Sequence, residues 1–170
     1  YYEEVRRGRT DGMVEPQIWG HEPSGIVVET GEGVTGIKPG DRVAVEPGET
    51  CGGCRHCKSG HYNLCGDVRF LSTPGNKGAF AEYLVIGADM VFPIPDRMSY
   101  EVASLSEPLS VGIHACELAE VKPGDRLMIL GGGPIGIMAA AAALAFGVTG
   151  LTLGAIQANR LQFARETCPV

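Results

Sequence analysis

The sequence predicts a chain of class α/β plus β: a compact β-barrel domain over residues 1–107, then the opening of a doubly wound parallel sheet over 108–170. Three observations predict it. Short apolar-alternating segments punctuated by Gly and Pro fill the first half, the pattern of a small barrel. Within them four cysteines, Cys51, Cys54, Cys57 and Cys65, crowd into fifteen residues. From Leu127 the pattern becomes strand, glycine turn, helix, short strand, helix, which is one βαβ unit.

Composition narrows the function classes. With 44% hydrophobic and 20% charged residues in 170, this is an ordinary globular chain that can bury a core. A net charge of −6 argues against nucleic-acid partners, which draw on basic stripes. The longest apolar run, 135–146, is alanine-rich and too short for a bilayer, and no signal or transit segment is visible, so no membrane partner is expected. The chain does not begin with Met, which points to a processed, trimmed or partial protein.

In chain order, residues 1–16 are polar and carry Arg6, Arg7 and Arg9, as a solvated loop would. A strand is predicted over 18–30, ending in the turn Gly31-Glu32-Gly33. Lys38-Pro39-Gly40-Asp41 is a turn feeding a strand at 42–45, and the same cassette, Lys122-Pro123-Gly124-Asp125, precedes a strand at 127–130. Between them, 79–86 alternates as a strand and 91–95 reads as an edge broken by proline. Ser99 is the expected N-cap of a short helix through Ser106. An amphipathic helix follows over 108–120, with Leu109, Gly112, Ile113, Cys116 and Ala119 on its core face.

The cysteines stand as C-x2-C-x2-C-x7-C. Four thiolates so close can converge on one Zn2+ and leave no open position, which makes such a site structural. An iron–sulfur reading wants a last gap of three followed by Pro, whereas the gap here is seven and Gly66 follows. Disulfides want an oxidising compartment, and adjacent C-x2-C pairs make a poor framework. A zinc cage therefore places the protein in a reducing cytoplasm. Cys116 and Cys168 are spare thiols, Cys116 a core residue. His56, His61 and His114 are structural or solvated.

At the centre of the βαβ unit, Leu130 runs into Gly131-Gly132-Gly133-Pro134-Ile135-Gly136, a G-x-G-x-x-G after a strand and opening a helix. Gly131 permits the tight turn, Gly133 lets backbone approach a pyrophosphate and Gly136 lets helix and strand pack closely. The phosphate would meet the N–H groups and positive dipole end of the helix beginning near Pro134, and Gly147 closes that helix. The acidic residue expected at the end of the next strand, 151–153, is replaced by Gly154, Ala155 and Ile156. NAD is the expected cofactor, and loss of that carboxylate admits NADP, with Arg160 near enough in sequence to assist.

Gly20-His21-Glu22-Pro23-Ser24-Gly25, with Gly31 and Val34 following, resembles the zinc signature of the medium-chain dehydrogenases. The cysteine lobe and the Gly131–Gly136 turn follow in that family's order. Glu107-Pro108-Leu109-Ser110-Val111-Gly112-Ile113-His114-Ala115 and Val68-Arg69-Phe70-Leu71-Ser72-Thr73-Pro74 are similar to the sorbitol (L-iditol, xylitol) dehydrogenase branch. The resemblance implies a GroES-like barrel plus a Rossmann domain, assembled as a homotetramer in the full-length protein. It implies a zinc-dependent oxidoreductase acting on a small polyol or alcohol. His21 would be a catalytic-zinc ligand, Glu22 a direct or alternating one, and Glu107 would hold the water or substrate hydroxyl at that metal. Tyr1 matches a substrate-contacting tyrosine of the branch. The family's first catalytic-zinc ligand, a cysteine, would precede Tyr1, and most of the Rossmann sheet would follow Val170, so the 170 residues alone are expected to be inactive. A zinc alcohol or threonine dehydrogenase, and a non-catalytic zinc-stapled nucleotide-binding protein, stay open as alternatives.

Overall fold

The computed structural model describes residues 18–168, which fall into two compact units, the first ending at Ser104 and the second beginning at Leu105. Tyr1 and the arginine-bearing segment 1–16 lie outside the described residues.

The first unit is built on very short strands. β1 (Ser24–Ile26), β2 (Arg42–Val45) and β5 (Val91–Pro93) form an antiparallel sheet in the order β1-β2-β5, with Gly25 opposite Val43 and Ala44 opposite Phe92. β3 (Gly48–Glu49) pairs with β4 (Arg69–Phe70) in a separate ribbon. Val43 and Ala44 are the buried residues of β2, which sits between two partners and reads as an apolar pair for that reason. The expected closed barrel does not appear among the described residues. The strand expected over 18–30 shortens to β1, because Gly31, Gly33 and Gly36 turn the chain away and two of them adopt left-handed φ. No strand forms over 79–86. There Gly78, Ala79 and Phe80 donate single backbone bonds to Ile18, Gly20 and Trp19 instead of extending a ladder. The edge at 91–95 shortens to β5.

Both Lys-Pro-Gly-Asp cassettes fold alike. The Lys38 N–H donates to Asp41 Oδ2 at 2.9 Å and the Lys122 N–H to Asp125 Oδ2 at 2.8 Å. Gly40 and Gly124 both take φ +93°, a conformation that favours glycine.

Arg42 ties the end of this unit together. Its Nε donates to Tyr100 Oη (3.2 Å), Nη1 to the carbonyls of Pro95 (3.0 Å) and Asp96 (2.7 Å), and Nη2 to that of Met98. The guanidinium also lies 4.6 Å from the centre of the Tyr100 ring. Ser24 Oγ donates to the Tyr100 carbonyl at 2.7 Å. The expected short helix begins here as α2 (Tyr100–Ser104), with the Val102 N–H bonded to Ser99 Oγ at 3.3 Å, as an N-cap requires.

The second unit runs α3 (Ser106–Leu118), β6 (Arg126–Leu130), α4 (Pro134–Ala145), β7 (Gly150–Gly154) and α5 (Ala158–Thr167). β6 and β7 pair in parallel, Arg126 opposite Gly150 and Leu130 opposite Gly154. The core of this unit is Cys116, Val121, Ala142 and Ala143, with Leu109, Leu127 and Phe146 packed on it. Pro108 falls in the first turn of α3, where its missing N–H goes unused. A Cβ on Gly112 would lie 2.7 Å from the Met138 carbonyl oxygen, so α3 and α4 touch backbone to backbone at that point. Ala140, Ala142 and Ala143 are at most 2% exposed, and these small side chains make the close approach possible. Gly147, with φ +86° and its N–H bonded to the Leu144 carbonyl, ends α4.

Candidate metal centres and nucleotide turn

The cysteine lobe folds around its own sulfurs. Gly52, at φ +64°, turns the chain so that Cys51 and Cys54 face each other, and α1 (Arg55–Lys58) carries Cys57. Gly60 and the single 3-10 turn Tyr62–Leu64 then bring back Cys65, which is 5% exposed. Sulfur–sulfur separations are 3.5 Å for Cys54–Cys57, 3.6 Å for Cys65–Cys51 and 3.9 Å for Cys51–Cys57, and all four lie within 4.8 Å of one another. A tetrahedron with Zn–S near 2.3 Å has edges of about 3.8 Å, so the four sulfurs fit one zinc with little movement.

Electrostatics agree with that fit. The Cys51 sulfur accepts the Cys54 N–H at 3.3 Å, and the backbone N–H groups of Gly53 and Cys54 pull its pKa down to about 7. Burial, reinforced by the neighbouring Cys54 thiol, pushes Cys57 up to about 11. Four thiols so close cannot all ionise by themselves, whereas a divalent cation among them reverses the repulsion and deprotonates each ligand.

His21 is positioned by a different device. The segment ahead of it is bonded to 78–80, and the Gly20 N–H donates to Ser72 Oγ at 3.0 Å. Gly20 takes φ +93°, and a Cβ there would lie 2.7 Å from the Phe80 ring. A Cβ on Gly78 would collide with the Trp19 carbonyl. Glycine is demanded at Gly78 by the backbone beside it and at Gly20 by its φ. The imidazole packs against Phe70 with centroids 5.5 Å apart. It opens into a cavity of about 890 Å³ whose wall includes Glu22, Ser72, Phe80, Tyr100 and Ser104, a volume typical of a small-molecule site. His21 Nε2 and Glu22 Oε1 are 4.0 Å apart and 42% and 47% exposed. Two ligands of one zinc at ~2.1 Å would stand about 3.4 Å apart. These side chains can close that gap, and the pair fits a metal that keeps an open position.

Glu107 lies in the first turn of α3, three residues along the chain from Ser104. Cys116 (3% exposed) and Cys168 (8%) are buried thiols. His56 and His61 make local bonds to Arg55 and Ser59, and His114 pairs with Glu117 at 3.7 Å on an exposed helix face.

In the second unit the glycine turn has the shape its spacing implies. Gly131 takes φ +129°, and Gly133 stands immediately before Pro134, the first residue of α4. A Cβ on Gly136 would strike the Gly131 carbonyl oxygen, so helix and turn meet without room for a side chain. Gly154, Ala155 and Ile156 stand where the carboxylate was expected. The Arg160 guanidinium reaches back to the turn, its Nη1 3.4 Å from the Cβ position of Gly133.

Residues the sequence did not single out are Ser72, Phe80, Arg42 and Tyr100. The Phe70–Ser72 stretch was marked only by its likeness to polyol enzymes. The positive φ of Ser72, 66°, has no signal in residue type.

Four sulfurs spaced for one metal ion, a histidine at an open cavity and a G-x-G-x-x-G turn opening a helix, all in one chain, are the parts of a dehydrogenase-type architecture. Residues 2–96 match the family model of the alcohol dehydrogenase GroES-like domain. The sorbitol dehydrogenase of Bacillus subtilis (strain 168) is 49% identical over 167 residues, 98% of this chain and 47% of that protein. Escherichia coli galactitol-1-phosphate dehydrogenase superposes with TM-score 0.87 at 33% identity, covering 97% of this chain and 48% of the other. A zinc-binding dehydrogenase of Sinorhizobium meliloti 1021, solved with NADP, does so with TM-score 0.87 at 34% identity, covering 97% and 48%. The chain belongs to the zinc-dependent medium-chain dehydrogenases with an alcohol dehydrogenase GroES-like domain. It spans about half the length of the relatives it matches. Among the described residues no helix is long and apolar enough to cross a membrane.

Proposed function

We propose that the protein carrying this chain transfers hydride between a secondary alcohol of a sorbitol- or xylitol-type polyol and a nicotinamide cofactor. The observation that carries this reading is His21, offered by Gly20 into a cavity of about 890 Å³ in the same unit as the four-sulfur cage. The likeness to a sorbitol dehydrogenase and to a galactitol-1-phosphate dehydrogenase supports the substrate class.

His21 and Glu22 would hold the catalytic zinc, with Glu107 as the third group at that site. When bound there, the ion supplies a Lewis acid that acidifies an alcohol. The neutral imidazole offers a lone pair, and the carboxylates offset the ion's charge and tune the oxygen they face. Ser72 holds the Gly20 N–H and so fixes the imidazole's approach. Phe70 and Phe80 give the cavity an apolar wall. The turn Gly131, Gly133, Pro134, Ile135 and Gly136 would cradle the cofactor's pyrophosphate, placing the nicotinamide to accept hydride. The cage of Cys51, Cys54, Cys57 and Cys65 holds its lobe in shape and takes no part in the chemistry. Tyr1 would contact the substrate, a homotetramer is the expected assembly, and a reducing cytoplasm suits the free thiols.

The test is reduction of nicotinamide by the full-length protein with sorbitol, xylitol, threonine and ethanol. The account expects turnover with sorbitol or xylitol, abolished in His21→Ala while the fold persists. Turnover with threonine or ethanol alone, or full activity in His21→Ala, contradicts it.

A further inference from the structure

We propose that the nucleotide turn of this chain selects the 2′-phosphorylated cofactor, NADP, with Arg160 as the residue that receives the phosphate. This rests on the reading that the Gly131–Gly136 turn binds a dinucleotide. In such folds the discriminating group stands at the C-terminal end of the second parallel strand, where a carboxylate bonds the ribose hydroxyls and repels a 2′-phosphate. Here that strand, β7, ends at Gly154, and Ala155 follows with its methyl packed on the turn, 2.9 Å from the Cβ position of Gly132. The deficit extends well beyond one position. From Arg126 through Arg165 the chain contains no Asp or Glu, and its formal charges there are Arg126, Arg160 and Arg165. The entire β6-α4-β7 unit and most of α5 thus present no anion to a phosphate.

Arg160 stands in the first turn of α5, exposed and paired with no carboxylate among the described residues. Its side chain leans back over the turn, with Cβ 3.4 Å from the Cβ position of Gly132 and Nη1 3.4 Å from that of Gly133. A guanidinium there offers forked donors to a phosphate beside the adenosine ribose, and binding does not require an existing ion pair to break. Charge-assisted bonds of this kind favour NADP, because its 2′-phosphate offers the exposed guanidinium an anion where NAD offers only a hydroxyl.

The test is a fluorescence titration of the full-length protein with NADPH and NADH, alongside calorimetry with adenosine 2′,5′-bisphosphate and 5′-AMP. Binding is thereby read without turnover. The expected result is NADPH tighter than NADH by about 10-fold or more, with the bisphosphate tighter than 5′-AMP in the same sense. Arg160→Ala brings the NADPH-to-NADH affinity ratio toward one, and Ala155→Asp inverts it. Equal or tighter NADH binding in the wild type overturns the proposal. So does an Arg160→Ala variant that weakens both cofactors equally, which would assign Arg160 to the pyrophosphate. If neither cofactor nor either adenosine phosphate binds, the dinucleotide reading itself fails, and the selectivity with it.

Discussion

Arg42→Ala should destabilise the first unit more than any other surface truncation in it. The side chain donates four hydrogen bonds, three of them to carbonyls at residues 95–98, and lies against the Tyr100 ring. The two Nη1 bonds are exposed, so water replaces them and they contribute little. The Nη2 and Nε bonds are part-buried, and charged bonds in such places contribute roughly 1–1.5 kcal/mol each after discount. The cation–π contact adds about 0.5–1 kcal/mol. The sum predicts a loss of about 2.5–4 kcal/mol, with the 95–100 segment loosened and the cavity wall at Tyr100 displaced. Urea unfolding followed by circular dichroism measures it, with Arg42→Lys as a second arm. Lysine keeps the charge but cannot reach three carbonyls and stack at once, so it should recover less than half of the loss. An Arg42→Ala protein within about 0.5 kcal/mol of wild type would refute the reasoning, since surface changes without such a knot fall in that range.

Two further outcomes follow from single positions. Gly136→Ala should weaken cofactor binding at least ~10-fold, because the new methyl strikes the Gly131 carbonyl and must open the turn; calorimetry with unaltered affinity would contradict this. Asp41 is held below the ordinary carboxylate range chiefly by the Lys38 N–H, then by the Lys38 ammonium 3.1 Å away. A depressed carboxylate stabilises the fold above its unfolded pKa and loses that effect as pH falls through the folded value, so Asp41→Asn should lag wild type at pH 7 and lag it by less at about pH 3. A gap in urea midpoint that stays constant between those pH values would exclude the assignment.

What the sequence made legible is what local chemistry determines. The cysteine spacing implied a cage, and the sulfurs do converge. The glycine spacing at 131–136 implied close packing that only glycine permits, and at Gly136 the tight neighbour is the Gly131 carbonyl of the turn. The repeated Lys-Pro-Gly-Asp cassette folds identically twice because its bond closes within four residues. Strand limits in the first unit were less legible. Its strands run two to four residues, too short for alternation to speak. Among the described residues, the alternating stretch 79–86 bonds to the short segment 18–20 only through Ala79 and Phe80, and no ladder forms there. The Arg42 knot left no trace, since three of its four acceptors are backbone carbonyls 53 to 56 residues away, which any residue type can offer.

The most direct test is the zinc content of the full-length protein, counted per chain by elemental analysis in the wild type and in His21→Ala. Two ions in the wild type and one in the variant are predicted, the remaining one held by Cys51, Cys54, Cys57 and Cys65. A wild type devoid of zinc, or a His21→Ala protein that keeps both ions, would contradict the two-centre account.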